Sequence, residues 1–412
     1  MSLKSGLKQY FLNDGTPLLW NSDTTTVFDN SEQTKITASD GAASDYFGRA
    51  VAVGSGRIVV GSYADDDNGS NSGAAYIFDL DGTELAKITA SDGAAYDYFG
   101  KTVAVGSGRI VVCSPGDDDN GTSSGSFYIF DLDGNQLAKI TASDITSSQG
   151  FGDSVAVGCG RIVVGAYADD VIGSSSGTVY IYDLDGNQLK KITASDGEAY
   201  DYFGRSVAVG NGRIVVGANG DDDNGSASGS AYIFDLDGNE LKKITASDGD
   251  ASEQFGISVD VGSGRIVVGA YQGDGNESFS GSAYIFDLDG NQLAKITASD
   301  GMISDYFGRS VAVGSGRIVV GAYGDDGPND DESLRGAAYI FGLDGRQLAK
   351  ITASDGAAYD YFGFGVAVGS GRIVVGSYAD DDNGNFSGSA YIYKTPPCYT
   401  IYDAIELQKG LL

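Results

Sequence analysis

The residues best equipped for chemistry in this chain are aspartates in a recurring run, Asp-Asp-Asp-Asn-Gly. The run is intact at 65–69, 117–121, 221–225 and 380–384 and degraded at 169–173, 273–276 and 325–331. Adjacent carboxylates repel by roughly 1 kcal/mol per close pair in water, a cost that a bound cation would offset. Asp65, Asp67, Asp117, Asp119, Asp221, Asp223, Asp380 and Asp382 are therefore candidate ligands for Ca2+. The competing reading is a solvated Asx or Asn-Gly turn, and the run lacks the alternate ligand spacing of an EF-hand loop. Catalysis has less to draw on. The sequence contains no histidine, which removes the commonest general base and transition-metal ligand. Carboxylate pairs that might cleave a glycoside occur everywhere, and acids repeated in every unit argue for structure. The irregular stretches at 144–150, 273–280 and 328–335 combine no nucleophile with a base, so a non-enzymatic protein is expected.

Aromatic residues are the other candidates for contact. Tyr-Asp-Tyr-Phe-Gly occurs around Tyr96, Tyr200 and Tyr359, whose rings could stack on a sugar or a protein partner; packing between repeats is the alternative. Specificity could also reside in the unrepeated flanks. Residues 1–30 hold the single tryptophan, Trp20, and residues 395–412 carry Leu407 and Leu411 in a possible short helix starting near Asp403. Both flanks are too short to fold alone, so they are expected to dock on the repeats or on another protein.

These residues hang on a strict frame. Seven Phe-Gly pairs begin at Phe47, Phe99, Phe151, Phe203, Phe255, Phe307 and Phe362, spaced by 52 five times and then by 55. A Gly-Arg-Ile-Val-Val run follows each pair, and seven Lys-Ile-Thr-Ala-Ser-Asp runs begin between Lys35 and Lys350. One unit carries four strand signals, at 50–53, 57–61, 75–78 and 85–90. Gly54-Ser55-Gly56 joins the first two tightly, and Asp81-Gly82 reads as a two-residue hairpin between the last two. The first two strands are apolar on both faces, as strands sandwiched between sheets must be; the fourth alternates and belongs at a rim. Four antiparallel strands per unit predict an all-β, seven-bladed propeller over residues 31–394. The seventh unit lacks its fourth strand, and residues 34–39 supply one, closing the ring and removing exposed edges.

In these residues the chain resembles the FG-GAP repeat family, found in integrin α-subunits and many surface proteins. The Phe-Gly opening is present in all seven units, followed by Ser-Val-Ala-Val-like and Val-Val-Gly-Ala strands. The family's closing Gly-Ala-Pro stands here mostly as Gly-Ala-Tyr or Gly-Ser-Tyr, and only Pro115 keeps the proline. The resemblance implies a propeller that binds or adheres. It also implies calcium in a loop between the first and second strands, where this chain has only Gly54-Ser55-Gly56, too short to wrap an ion that takes six to eight oxygens. Strand order gathers the Asp-rich loops and the tyrosines on one long-looped face, and puts the tight turns with Arg57 and its equivalents on the other.

Composition sets the outer limits. With 57 Asp plus Glu against 26 Lys plus Arg, the formal charge is −31, which repels nucleic acid and anionic membranes. No segment is long and apolar enough for a membrane span, and residues 1–15 lack the apolar run of a signal peptide. Cys113, Cys159 and Cys398 occupy unrelated repeat positions and imply neither a disulfide framework nor a zinc site. The function expected is structural or adhesive: a rigid disk in a virion (a phage tail, fibre or capsid-attached part), bound to other structural proteins and to a glycan or protein receptor. A bacterial cell-surface or extracellular adhesion protein is the alternative, and a polysaccharide-acting enzyme the third reading.

Overall fold

The computed structural model describes residues 10–11, 17–18, 32–327 and 333–395. Seven four-stranded antiparallel sheets, each a simple meander, follow one another around an axis. Blade 1 comprises Val51–Gly54, Arg57–Ser62, Ala74–Phe78 and Glu84–Ile88, from the axis outward. Blades 2 to 6 repeat this order, with first strands at Thr102–Gly106, Phe151–Gly158, Ser206–Gly210, Ser258–Gly262 and Ser310–Gly314. Blade 7 takes three strands from Gly365–Gly369, Arg372–Ser377 and Ser389–Lys394, and its fourth from Glu32–Ile36 at the other end of the chain. There Lys35 lies opposite Tyr391 and Ile36 opposite Ala390. The seven-bladed ring and its closure by an early strand are as the sequence predicts.

Each Phe-Gly pair is a joint between blades. Phe47 is fully buried, edge-on to Tyr76 and Phe78 of blade 1, and packs in the same cluster as Val374, Ala390 and Ile392 of blade 7. The glycine that follows must turn the chain where another backbone lies against it. Gly100 has φ +89°, and a Cβ there would meet the Ala74 carbonyl. The glycine that six of the seven second strands carry is equally confined: a Cβ on Gly217 would meet the Gly256 carbonyl. Second and third strands of every blade are buried almost throughout, whereas fourth strands are partly exposed. Unbroken Ile-Val-Val and Tyr-Ile-Phe runs are what a strand covered on both faces requires.

The tight turns meet expectation on one side of the blade and not on the other. Ser55 and Gly56 both have positive φ between the paired residues Gly54 and Arg57, which makes a two-residue I′ turn. The turn at Asp81-Gly82 is longer than predicted and spans 79–83. Asp79 organises it, its Oδ1 accepting from the Asp81 and Thr83 amides at 3.0 and 2.8 Å, which shifts the register beyond Ile77. On that same face the arginines join blades. Arg57 Nε donates to the Leu132 carbonyl at 3.1 Å, and Arg109, Arg161, Arg213, Arg265 and Arg372 do likewise to the leucine in the corresponding turn of the next blade. Trp20, Leu407, Leu411 and the expected helix near Asp403 lie outside the described residues.

The seam and the axial glycines are open to test. Deleting residues 1–37 should lower the unfolding midpoint and promote self-association, and a peptide of residues 30–39 should restore both; an unchanged midpoint would argue against closure by this strand. Gly217→Ala should cost about 2–3 kcal/mol in chemical denaturation.

Candidate functional site

The acidic loops connect second to third strands, on the face that also carries the connections between blades. Their first aspartate is buried, Asp65, Asp117, Asp221 and Asp380 all among the least exposed polar residues. The turn then uses its own carboxylates: Asp65 Oδ1 accepts from the Asp67 amide and Asp66 Oδ1 from the Asn71 amide, at 3.1 and 2.6 Å. Its other carboxylate oxygens converge on a cation that the chain itself provides. Lys87, the lysine of Lys-Ile-Thr-Ala-Ser-Asp, places Nζ 2.7 Å from Asp40, 2.8 Å from Asp65 and 2.6 Å from Asp67. Tyr76 donates from below to Asp40 and Asp65.

The cluster recurs around the ring. Lys139 holds Asp92, Asp117 and Asp119; Lys243 holds Asp196, Asp221 and Asp223; Lys35 holds Asp355, Asp380 and Asp382. Where the run is degraded the cluster shrinks, Lys191 keeping Asp144 and Asp169, Lys350 keeping Asp300 and Asp325, and Lys295 keeping Asp248. Burial pulls the pKa of Lys87 down, but its hydrogen bonds to Asp40, Asp65 and Asp67 outweigh this and hold it above the ordinary lysine value. Burial likewise pushes Asp40 up, and the bonds from Lys87 and Tyr76 more than reverse it, leaving the carboxyl below its usual range.

The eight candidate metal ligands thus stand in four pairs, each pair sharing one lysine. Carboxylate oxygens of Asp40, Asp65 and Asp67 lie within 4.8 Å of one another, close enough to share an ion. However, the ammonium of Lys87 stands among them at contact distance, Asp65 Oδ1 already accepts from a backbone amide, and Asp40 Oδ1 from Tyr76. A Ca2+ ion needing six to eight oxygens would have to displace that lysine. The donor set fits an ammonium. Sequence spacing hides this pairing, because Lys87 lies 20 to 47 residues from its aspartates, on a fourth strand whose alternation marks only a rim position.

A second set of side chains surrounds the axis on the same face. Tyrosines just before five of the seven Phe-Gly pairs, and the tyrosines that end five of the seven second strands as Gly-Ala-Tyr or Gly-Ser-Tyr, form a collar. Contacts run from Tyr98 through Tyr63, Tyr46, Tyr378, Tyr361, Tyr323 and Tyr306 to Tyr271, with neighbouring centroids 5.2–6.1 Å apart. Tyr167 and Tyr202 form a separate pair. Amides fill one gap: Asn219 donates to Gln254, which donates to Gln272. The Gly-Ala-Tyr departure from Gly-Ala-Pro therefore has a structural use. Inside the collar stand the residues that follow Phe-Gly, namely Arg49, Lys101, Asp153, Arg205, Ile257, Arg309 and Phe364, around a cavity of about 280 Å3. No periodic signal marks them in the sequence, because these positions vary inside a constant frame.

The predicted contact tyrosines behave differently from the collar. Tyr96, Tyr200 and Tyr359 are 56, 58 and 52% exposed and stand on the loops between blades. Their backbone is fixed, the Tyr96 amide donating to Ser70 and the Tyr98 amide to Asn71 of the preceding acidic loop.

The repeat, the Phe-Gly joints and the seven meanders decide the family. Seven consecutive matches to the FG-GAP repeat cover residues 30–78, 83–130, 135–182, 187–234, 239–286, 291–341 and 346–393. The chain belongs to the FG-GAP repeat family. No curated protein matches it in sequence. Each FG-GAP unit runs from the fourth strand of one blade through the first three of the next, so every unit bridges two blades, and the first supplies the strand that blade 7 lacks. Propellers of this family are typically non-enzymatic and often bind calcium.

Two outcomes follow from these charges. Lys87→Met should cost about 2–3 kcal/mol, because it strands the buried Asp65, and calcium should restore part of the loss. In the unaltered protein, calcium and chelator should leave the unfolding midpoint unchanged. The pH response has a definite sign. Burial pushes the carboxyls of Asp45, Asp201, Asp260 and Asp360 up to about 6 and that of Asp305 up to about 7. Unfolded aspartates titrate near about 3.9, so the folded protein binds more protons across the window from about pH 4 to 7, and these groups lose their stabilising contribution as pH rises through it. The lysine-held Asp40, Asp92, Asp196 and Asp355 are shifted the other way, and their contribution is lost below about pH 4. Thermal unfolding should show a higher midpoint at pH 5 than at pH 8, and a flat or rising profile would contradict these assignments.

Proposed function

We propose that this FG-GAP propeller is a non-enzymatic binding protein that presents its long-looped face to a partner. The observation that carries the reading is the distribution of exposed apolar side chains. Among the described residues, large exposed apolar groups fall into two sets: a leucine on the fourth strand of blades 1 to 5, and Tyr96, Val171, Ile172, Tyr200, Phe279, Met302, Ile303, Tyr359 and Phe386. Every member of the second set stands on a long-face loop. Rigid aromatic and aliphatic groups on backbone-locked loops, interspersed with carboxylates, suit a protein surface with apolar patches and basic neighbours.

The setting proposed with this role is a large particle, a phage tail, fibre or capsid-attached part of a virion. A bacterial surface is the alternative and would use the face in the same way. Support comes from the seam. Glu32 pairs with Tyr393, and the Thr395 amide donates to Gly371, so the chain enters and leaves the ring side by side on the flat face. Attachment through the flanks would leave the long-looped face outward. Calcium enters this reading as a competitor of the cluster lysines and not as a resident ion.

Replacing Tyr96, Tyr200 and Tyr359 with serine should leave the ring folded and weaken binding at least tenfold to any partner found by protein and glycan arrays. Serine at Leu85, Leu137 and Leu189 on the rim should leave binding unchanged. The reverse pattern would sink the assignment to this face, and a glycan as the bound species would replace the protein partner. Mass spectrometry of purified particles that lack the chain would sink the virion setting.

A further inference from the structure

The throat of the collar carries a charge opposite to that of the protein. In a chain of formal charge −31, the residues after Phe-Gly supply Arg49, Lys101, Arg205 and Arg309 against one acid, Asp153. Lys101 takes that acid, Nζ to Oδ1 2.6 Å. Among the described residues, no carboxylate lies within ion-pair distance of the three guanidinium groups. They rest instead on rings: Arg205 on Tyr167 at 5.1 Å, Arg49 on Tyr63 and Phe364 at 5.1 and 5.4 Å, and Arg309 on Phe364 and Tyr271 at 5.1 and 6.0 Å. Arg49 and Arg309 therefore share the Phe364 ring.

Cation–π contact at such distances returns only about 0.5–1 kcal/mol per pair at exposed sites, and it does nothing to relieve repulsion between like charges. Burial, and then the charges of Arg205 and Arg49, lower the pKa of Arg309 to about 10, so it stays protonated at neutral pH while the cluster pays for its own crowding. The one aspartate in the throat, Asp153, is taken by Lys101 and leaves the three guanidinium groups without a carboxylate among the described residues. Guanidinium groups held in a fixed fork geometry match the oxygens of carboxylate, sulfate and phosphate, often two at a time. The cavity between them, about 280 Å3, approaches the lower end of the range for ligand pockets, about 300–1,000 Å3. It opens at the centre of the long-looped face.

We propose that the throat is an oxyanion site, in which Arg49, Arg205 and Arg309 hold the carboxylate, sulfate or phosphate of a small ligand or of a group projecting from a larger one. Asp153 acts against the ligand, by drawing Lys101 away and by its own charge. The acidic loops around the mouth select against polyanions with charge beyond the bound group. This site is separate from the exposed tyrosines on the loops, and the two can fail independently.

Isothermal titration of the full chain with sodium sulfate, sodium phosphate and sodium glucuronate, at ionic strength matched with sodium chloride, tests it. At least one should bind saturably at one site per chain, and which arm does so identifies the oxyanion. Arg205→Gln, which removes a guanidinium with a single ring contact, should weaken binding at least tenfold, as should Arg309→Gln. Asp153→Asn should tighten it several-fold, a gain that misfolding cannot mimic. Heats no different from the chloride control in every arm, or equal affinity in Arg205→Gln and the unaltered protein, would overturn the proposal.

Discussion

Everything in this ring depends on how closely two backbones can approach beside the axis. Where the second strand of a blade passes the Phe-Gly of the next, six of the seven blades leave no room for a side chain: a Cβ on Gly61 would lie against the Gly100 carbonyl, and one on Gly321 against that of Gly363. The exception is blade 2, where the fully buried Cys113 takes this place and lies against Gly152 of the next Phe-Gly. The phenylalanine beside each glycine then fills the wedge that opens outward between blades. It is fully buried in all seven units.

Three further layers of attachment sit on this joint. Arginines of the second strands reach across the flat face to turn carbonyls of the next blade, and collar rings meet their neighbours on the long face. At the rim, lysines tie the fourth strand of a blade to two acidic loops. Lys35 does this across the seam, binding Asp355, Asp380 and Asp382 more than 300 residues away in sequence. Charge repulsion within −31 is thereby turned into local attraction: the aspartates most crowded together are those with an ammonium between them. The acidic loop between second and third strands holds a cation that is part of the chain itself.

Much of the fold was legible because strand period and turn chemistry repeat in step. The blade count, strand order and closure follow from the Phe-Gly spacing and from a seventh unit that stops after Tyr391-Ile392-Tyr393. The turn at 79–83 was misjudged since Asp-Gly signals a two-residue hairpin only when no upstream aspartate captures the following amides, and Asp79 does. The acidic runs read either as a cation site or as a solvated turn, and the lysine among them was hidden by sequence distance, because pairing of third and fourth strands is what brings Lys87 over Tyr76. The throat was hidden for a different reason. Its residues are the variable ones, Arg, Lys, Asp, Arg, Ile, Arg and Phe at equivalent positions, and a reading that looks for regularity passes over them.

The strand at the seam also gives the molecule a mechanical direction. Glu32 and Lys394 lie at the same end of two antiparallel neighbours. Tension that separates the two flanks would open the seam as a zipper, breaking one backbone hydrogen bond at a time and meeting little resistance. Tension that pulls both flanks together against a load on the opposite face would run along the strands and shear many bonds at once. The same closure is therefore weak to a pull between its ends and strong to a pull through the disk.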